Sequence, residues 1–457
     1  MNPPGLDAIR DCLEGATPGI LATCSPDGTP NVSYLSQIHY VDARHIALSF
    51  QFFNKTRQNV LANPQARLQL MHPLSSAMYR LQVRYLRTET QGALFEAMKA
   101  KLAGIASHTG MAGVFRLLGS DVYEVLAIEA VHTGRPEAIG PRRSLLAPLR
   151  ASVLRLSRHA EFDALLAELL GCLAELFDIR HAMVLMLDGA GAKLYTVASH
   201  GYSSSGVGSE VPLGAGVIGV AARERTPIRI SHMTSEYAYG RAIRDAVLAG
   251  GQGAMLETEI PLPGLPRAGS QLAVPIAAAG RLAGVLYVES PEDLRFGYDD
   301  EDALVTLAAH FGVMLHALQT GIEQTDSVDA HDADAARATG VASPEAPDAT
   351  CPVRVRHYRA DHSVFLDDHY LIKGVAGAIL WALLSDHVAQ GRVSFSNREL
   401  RLDPRIRLPD ISDNLEARLV LLQRRLAERD ACIRLERAGR GRLRLLVRRP
   451  LELVEIA

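Results

Sequence analysis

An apolar run at Ala47-Leu48-Ser49-Phe50 passes into the polar cluster Asn54-Lys55-Thr56-Arg57, and helical spacing follows until Asn63-Pro64 closes it. No other stretch limits the possible folds as much. A proline without an N–H, together with the restricted residue before it, ends a helix there, so strand, helix and stop fall within one short segment. The junction has the chemistry a dianionic phosphate requires: hydroxyl and amide donors, a fixed cation, and a helix N-terminus with unsatisfied N–H groups. Taken alone, the cluster is equally a polar helix start, since caps and basic first turns are common.

The surrounding pattern narrows the choice. Gly19 to Cys24 reads as a strand, Ser25-Pro26-Asp27-Gly28-Thr29-Pro30 as a tight turn, and Asn31 to Leu35 as its hairpin partner. His45 to Phe50 gives the third strand and Ala66 to Met71 the fourth; Asp121 to Ile128 closes the set, and Leu86 to Ala106 reads as a helical insertion. This order, over about residues 10 to 135, resembles the flavin-binding split barrels of the pyridoxamine-phosphate-oxidase-like superfamily. The resemblance implies that Asn54, Lys55 and Thr56 hold the phosphate of FMN. Ser49 and Phe50 would line the ring or ribityl chain, and Asn31, Val32, Ser33 and Tyr34 would run beneath the flavin. The chain departs from the oxidases proper, which carry an arginine on the second strand and a basic pair in the phosphate loop. Here Asn31 and the single cation Lys55 stand, with Arg57 as a second candidate. Pyridoxamine-phosphate oxidation is therefore not expected.

A chain of 457 residues is too long for one core, and about two to four domains are expected. Its 48% hydrophobic and 22% charged content suits several buried cores. No apolar run approaches the ~20 residues that span a bilayer, and the start Met1-Asn2-Pro3-Pro4-Gly5 has no signal-peptide pattern. Five scattered cysteines without a Cys-x-x-Cys pair point to a reducing compartment, hence the cytoplasm, and to neither a disulfide framework nor a zinc site. The net charge is only −3 but unevenly spread. Arg405 to Arg449 holds thirteen arginines against six acids, while Glu323 to Asp348 holds seven acids, one arginine and no aromatic residue. Residues 321–352 accordingly read as an acidic flexible linker, and the basic module behind it as a partner for a polyanion.

In the middle of the chain, Phe162, Leu165, Leu166, Leu169, Leu170, Leu173, Leu176 and Phe177 fall at helical spacing. Strands follow at 182–187, 194–198, 227–230, 271–276 and 282–289, and a last helix runs from Asp299 to about Gln319. The glycine-rich Val211 to Ala222, with Gln271 to Ile276 and Gly284 to Glu289, resembles a GAF domain. Such a domain is a six-stranded antiparallel sheet with flanking helices, serving as a small-molecule pocket or dimerising sensor. The cyclic-nucleotide signature of that family is absent from residues 180–320, and no cysteine lies where a bilin would attach. Gly214-Ala215-Gly216-Val217-Ile218-Gly219 reads as a helix entry, because no βαβ crossover frames a dinucleotide loop. Ser231 to Ala254 reads as a pocket lid, and His200, His232, Tyr237 and Tyr239 as loop residues, with an unknown small molecule as ligand.

From Leu371 the order is helix, helix, helix, hairpin. Ser396-Asn397-Arg398-Glu399 caps the second helix, and Asp413-Asn414-Leu415-Glu416 opens the third, with Leu415, Leu419, Leu422 and Leu426 toward the core. Over about residues 362 to 450 this resembles the winged-helix output domains of two-component response regulators. The match is carried by Leu422-Gln423-Arg424-Arg425-Leu426 and the turn Gly439-Arg440-Gly441, though Arg442-Leu443 replaces the usual aromatic after that turn. Arg418, Arg424, Arg425 and Arg429 form an expected exposed row on the helix, and Arg437, Arg440, Arg442 and Arg444 extend it on the hairpin. Together they would meet successive DNA phosphates. The competing reading is a solvated basic face on a protein-interaction domain, favoured by Asp413 and Glu416 at the helix start. His357, His362 and His369 read as surface residues.

The sequence thus describes a multidomain α+β protein: a split barrel (1–140), a GAF sensor sheet (141–320), a linker (321–352) and a winged helix (353–457). The favoured function is a cytoplasmic, ligand- or redox-responsive regulator that binds DNA. Both resemblances imply a homodimer, since split barrels place flavin at the subunit interface and GAF-flanking helices pair. The alternative is an FMN-dependent oxidoreductase whose later domains serve regulation or assembly. No catalytic residue and no metal site is read.

Overall fold

A computed structural model describes residues 4–13, 17–35, 37–50, 55–108, 116–135, 143–189, 191–231, 260–328, 352–406, 408, 415–429, 432–439 and 441–456. The N-terminal unit is a sheet of β1 (Gly19–Cys24), β2 (Pro30–Leu35), β3 (Ile38–Asp42), β4 (His45–Phe50), β5 (Gln65–Met71), β6 (Met78–Glu89) and β7 (Gly119–His132). The strands run β2-β1-β5-β6-β7-β4-β3, all neighbours antiparallel. Helix α1 (Lys55–Ala62) joins β4 to β5, and α2 (Ala93–His108) lies between β6 and β7. Period-two burial along β1 and β5 sends Leu21, Leu68 and Leu70 into a core with Ile46, Leu48, Leu81, Val83 and Tyr123. The Asp27-Gly28 turn forms as read. Asp27 accepts the Thr29 N–H at 3.1 Å, and Gly28 takes φ +87°, which a side chain would strain. Strand β3 was not anticipated: Ile38 is its one fully buried residue, and the half-buried His39-Tyr40-Val41 gives no alternating signal.

The second unit begins with α3 (Leu146–Leu156) and α4 (Phe162–Phe177). Its strands are β8 (His181–Leu187), β9 (Lys193–His200), β10 (Glu210–Pro212), β11 (Ile228–Ile230), β12 (Ser270–Ala278) and β13 (Arg281–Ser290), in the order β10-β9-β8-β13-β12-β11. Helix α5 (Gly216–Glu224) follows β10, and α6 (Tyr298–Val328) ends the unit. One face packs Val184, Val274 and Leu286 against Leu165, Leu169, Leu307 and Phe311; the other packs Met183, Leu185 and Val285 against Val217 and Ala221. Two glycines of the α5 entry serve different ends: a Cβ on Gly219 would stand 2.2 Å from the Pro212 carbonyl oxygen, whereas Gly216 has open space around it and takes φ +59°. Helix α6 is the one described helix long and apolar enough to cross a bilayer (Tyr298–Thr320, mean hydropathy 1.3), yet its Leu304, Leu307, Phe311 and Leu315 are buried in the core. It continues past Gln319 to Val328, into the stretch read as linker; residues 329–351 lie outside the described residues, as does all of the expected lid after Ser231 (232–254), with His232, Tyr237 and Tyr239.

The third unit comprises β14 (Val353–Tyr358), β15 (Ser363–Leu366), β16 (His369–Ile372), α7 (Gly374–Gln390), β17 (Ser394–Ser396), α8 (Asn397–Leu402), α9 (Leu415–Glu428), β18 (Ile433–Arg437), β19 (Arg442–Val447) and β20 (Leu451–Ile456). The expected helix, helix, helix, hairpin order is present. Ser396 and Glu399 form the reciprocal capping box of α8. Two small sheets frame the helices: β16-β15-β14-β20, with β20 parallel to β14, and β17-β19-β18. His357 corrects the surface reading, being 3% exposed. Its ring stacks on Trp381 at 4.7 Å and its Nε2 lies 3.2 Å from His362 Nδ1, whereas His369 is exposed as expected. A single hydrophobic cluster runs from Leu169 and Val197 of the second unit to Leu419 and Leu422 of α9.

Candidate functional site

Strand β2 and the first turn of α1 bring together three of the expected flavin residues. Asn31 Nδ2 donates to Thr56 Oγ1 at 2.8 Å, and Thr56 Oγ1 donates to Ser33 Oγ at 3.1 Å. Lys55 opens the helix beside them with its side chain exposed. Alternation along β2 turns Val32 and Tyr34 to the opposite face, where they are 62% and 77% exposed, so these two do not line the cluster. Asn54 lies outside the described residues. Arg57, the candidate second cation, is committed elsewhere: its guanidinium donates to Asp121 at 2.6 and 2.8 Å and to Thr88 at 3.0 Å, and lies over the Phe50 ring at 3.9 Å. Phe50 thereby packs under a cation at the end of β4, next to Ser49, both half-buried. The donor set fits a phosphate through the Lys55 ammonium, the Ser33 hydroxyl, the second N–H of Asn31 and a helix N-terminus, with Thr56 holding Ser33 and Asn31 in place.

Helix α2 carries this unit into the next. Phe95, Met98 and Leu102 pack with Ala47 and Leu117, and the Met98 carbonyl accepts from Gln37 Nε2 at 3.0 Å. Ala100, fully buried, packs instead in the cluster of Val217, Ile218, Ile230 and Tyr287. On β3, burial and nearby Lys101 depress the His39 imidazole to about 4, which keeps it neutral at pH 7.

Two buried polar groups in the second unit escaped the sequence reading. The Glu289 carboxylate accepts the Leu265 N–H at 2.8 Å and the Tyr287 hydroxyl at 3.1 Å; burial nevertheless holds its pKa above the usual carboxylate value. Arg229 pairs with Glu301 at 2.7 Å, donates to Ser231 at 3.0 Å and stacks on Tyr298 at 4.2 Å. A charged residue within a largely apolar strand was the available signal in each case. His200 is exposed. Among the described residues no group of three or more His, Cys, Asp or Glu is placed to hold a metal ion.

The arginines of α9 require a correction. The helix is buried along most of its length, and Arg418 and Arg425 are buried with it; Arg424 is half-buried and Arg429 is exposed. Arg418 pairs with Asp188 and lies over the Tyr195 ring at 4.0 Å. Arg424 donates to Asp163 at 2.6 Å and to the Val197 carbonyl at 2.9 Å. Arg425 donates to Glu428 at 2.8 Å and to the Leu371 carbonyl at 3.1 Å, and Arg429 reaches the Tyr370 carbonyl at 3.4 Å. Arg437 pairs with Glu416 and lies 3.9 Å from Glu161. The expected exposed row is therefore broken in this arrangement: Asp188 and Asp163 of the second unit take Arg418 and Arg424, Arg425 and Arg437 pair with Glu428 and Glu416 of their own unit, and Arg429 stays exposed. Arg442 faces solvent, as do Arg434 and Arg444 on the same hairpin; Arg440 lies outside the described residues. Cavities of about 680 Å³ (between Ser205, Ile260, Tyr370 and Arg429) and about 630 Å³ (between Arg10, His72, Arg143 and Tyr298) lie at the two seams between units.

Residues 6–125 match the family pattern of pyridoxamine 5'-phosphate oxidase, and residues 159–316 that of the GAF domain. Among solved structures, an FMN-binding protein from Syntrophomonas wolfei is 18% identical over 28% of this chain and 92% of its own, with a TM-score of 0.23. The GAF domain of an Acinetobacter phosphoenolpyruvate-protein phosphotransferase is 22% identical over 39% of this chain and 96% of its own, with a TM-score of 0.30. Free methionine-R-sulfoxide reductase from Neisseria meningitidis is 17% identical over 40% of this chain and 97% of its own, also with a TM-score of 0.30. No curated protein matches the chain. The chain thus carries a pyridoxamine 5'-phosphate oxidase-like split-barrel domain followed by a GAF domain.

Proposed function

We propose that this chain is a cytoplasmic regulator in which a flavin-binding split barrel and a GAF sensor control a DNA-binding winged-helix domain. The observation that carries the reading is continuity. Helix α2 belongs to the cores of both the barrel and the GAF domain, and α9 to the cores of both the GAF and the C-terminal domain. Accessory domains tethered for assembly alone would need neither shared helix. A ligand can bias such an arrangement only by its differential affinity for two states, and shared helices are elements through which both sites would feel the same change.

In the barrel, Lys55 would neutralise the FMN phosphate while Thr56, Ser33 and Asn31 orient it; Arg57 ties α1 to β7 through Asp121 and is not a ligand. The flavin, when bound, supplies the redox chemistry. In the C-terminal domain, the helix order and the solvent-facing Arg434, Arg442 and Arg444 support contact with nucleic-acid phosphates. Exposed Val32 and Tyr34 on edge strand β2 support a homodimer formed through the barrel.

A flavin-dependent oxidoreductase with regulatory later domains is the second reading, favoured by the arginines that α9 spends inside the molecule. Visible absorption of the purified protein, NADPH consumption and duplex-DNA binding separate the two. A yellow protein that oxidises NADPH and ignores DNA is the enzyme. One that binds DNA in a salt-dependent way without turnover is the regulator.

A further inference from the structure

We infer that the GAF domain holds α9 away from nucleic acid by giving its arginines carboxylates in place of phosphates. This rests on the DNA-binding reading above and adds to it a specific mode of control.

Ten residues of the helix are buried, including Arg418 and Arg425. A helix that covered only its own domain would bury one stripe. Leu415, Leu419, Leu422 and Leu426 supply that stripe. The burial of Val420 and Leu421 shows a second covered face, and Gly208 of the GAF domain approaches it so closely that a Cβ there would lie 3.7 Å from both Leu421 Cδ1 and Arg425 Cδ.

The polar contacts across the seam are matched by charge. Arg418 meets Asp188 at the end of β8, Arg424 meets Asp163 in the first turn of α4, and Arg437 lies near Glu161, the residue preceding that helix. A carboxylate presents a guanidinium with two planar oxygens, the same recognition surface as a phosphate. Each arginine can satisfy one partner or the other. Nucleic acid binding through α9 therefore requires these carboxylates to let go, while Arg434, Arg442 and Arg444 have no partner among the described residues and remain available in the closed form.

The closed form would accordingly bind DNA weakly, with a shallow salt dependence set by the hairpin. Release of Arg418 and Arg424 would steepen the salt slope by about 0.9 for each arginine that reaches a phosphate, while Arg437 stays paired with Glu416 of its own domain.

The test uses the full chain with Asp163→Asn and Asp188→Asn. Two quantities are read: backbone hydrogen exchange over residues 415–428, and affinity for a short fluorescent duplex across a range of salt. Faster exchange in α9 together with roughly tenfold tighter, more salt-sensitive DNA binding is expected, within the usual range of coupling between sites. Unchanged exchange in a folded variant would overturn the inference whatever the DNA result. Faster exchange with no DNA binding by either protein at any salt would uphold the latch and overturn nucleic acid as its partner. Asp188 faces a buried guanidinium, so Glu161→Gln with Asp163→Asn, both exposed carboxylates, provides the same readouts if the first variant does not fold.

Discussion

Arg418 and Asp188 stand 230 positions apart in the chain and close as an ion pair between the C-terminal helix and the GAF sheet. The arginine side chain is 7% exposed and its partner 16%, so water does little to soften the loss of either.

Arg418→Ala should therefore cost about 3 kcal/mol of stability, the scale for leaving one member of a buried pair alone. Arg424→Ala, whose partner Asp163 is half exposed, should cost less than about 1 kcal/mol. Urea unfolding of the two variants, side by side, measures the difference.

Lys55→Ala combined with Thr56→Ala should reduce FMN retention at least about tenfold, since both the cation and the hydroxyl at the helix start are lost. Flavin absorbance after gel filtration reads the effect. Unchanged flavin content would remove the phosphate assignment.

Arg57 behaves differently. Its guanidinium is tied to Asp121 and Thr88, with both members of the ion pair largely buried. Asp121→Ala should destabilise the barrel by about 3 kcal/mol, measured by calorimetry. If instead it left stability unchanged and abolished FMN binding, Arg57 would be a ligand.

His357 should make the C-terminal domain acid-sensitive. Burial and the neighbouring His362 hold its pKa below the usual 6.5, so the unfolded chain takes up this proton first as pH falls. Its contribution is intact above that value and is lost as pH drops from there through the lowered folded value. Glu455 and Arg359 also face it, with opposing effects. The stacked Trp381 is the chain's only tryptophan, so its fluorescence during denaturation at pH 7 and pH 5 reports the loss directly. His357→Phe should flatten the difference.

The barrel's hairpin and the GAF helices were legible because their signals are local: an Asp-Gly turn, period-two strands, and leucines at helical spacing from Leu165 to Leu173. Strand β3 was not, since burial of Ile38 alone gives no alternation. The polar cluster proposed to hold a phosphate was partly legible. Thr56, Ser33 and Asn31 converge, but strand register turns Val32 and Tyr34 outward, and a run of residue types does not reveal which face each occupies. The arginines of α9 show the limit most clearly. Their type and spacing are visible in the sequence, whereas their partners Asp163, Asp188 and Glu161 lie more than two hundred residues upstream. His357 escaped for the same reason, being covered by Trp381 from the following helix.

The most direct measurement is the affinity of the full-length protein for duplex DNA in three states: free of FMN, loaded with oxidised FMN, and loaded then chemically reduced without oxygen. The account predicts that at least one change of state shifts the dissociation constant severalfold. Identical constants in all three would contradict the claim that the N-terminal domains control the C-terminal one.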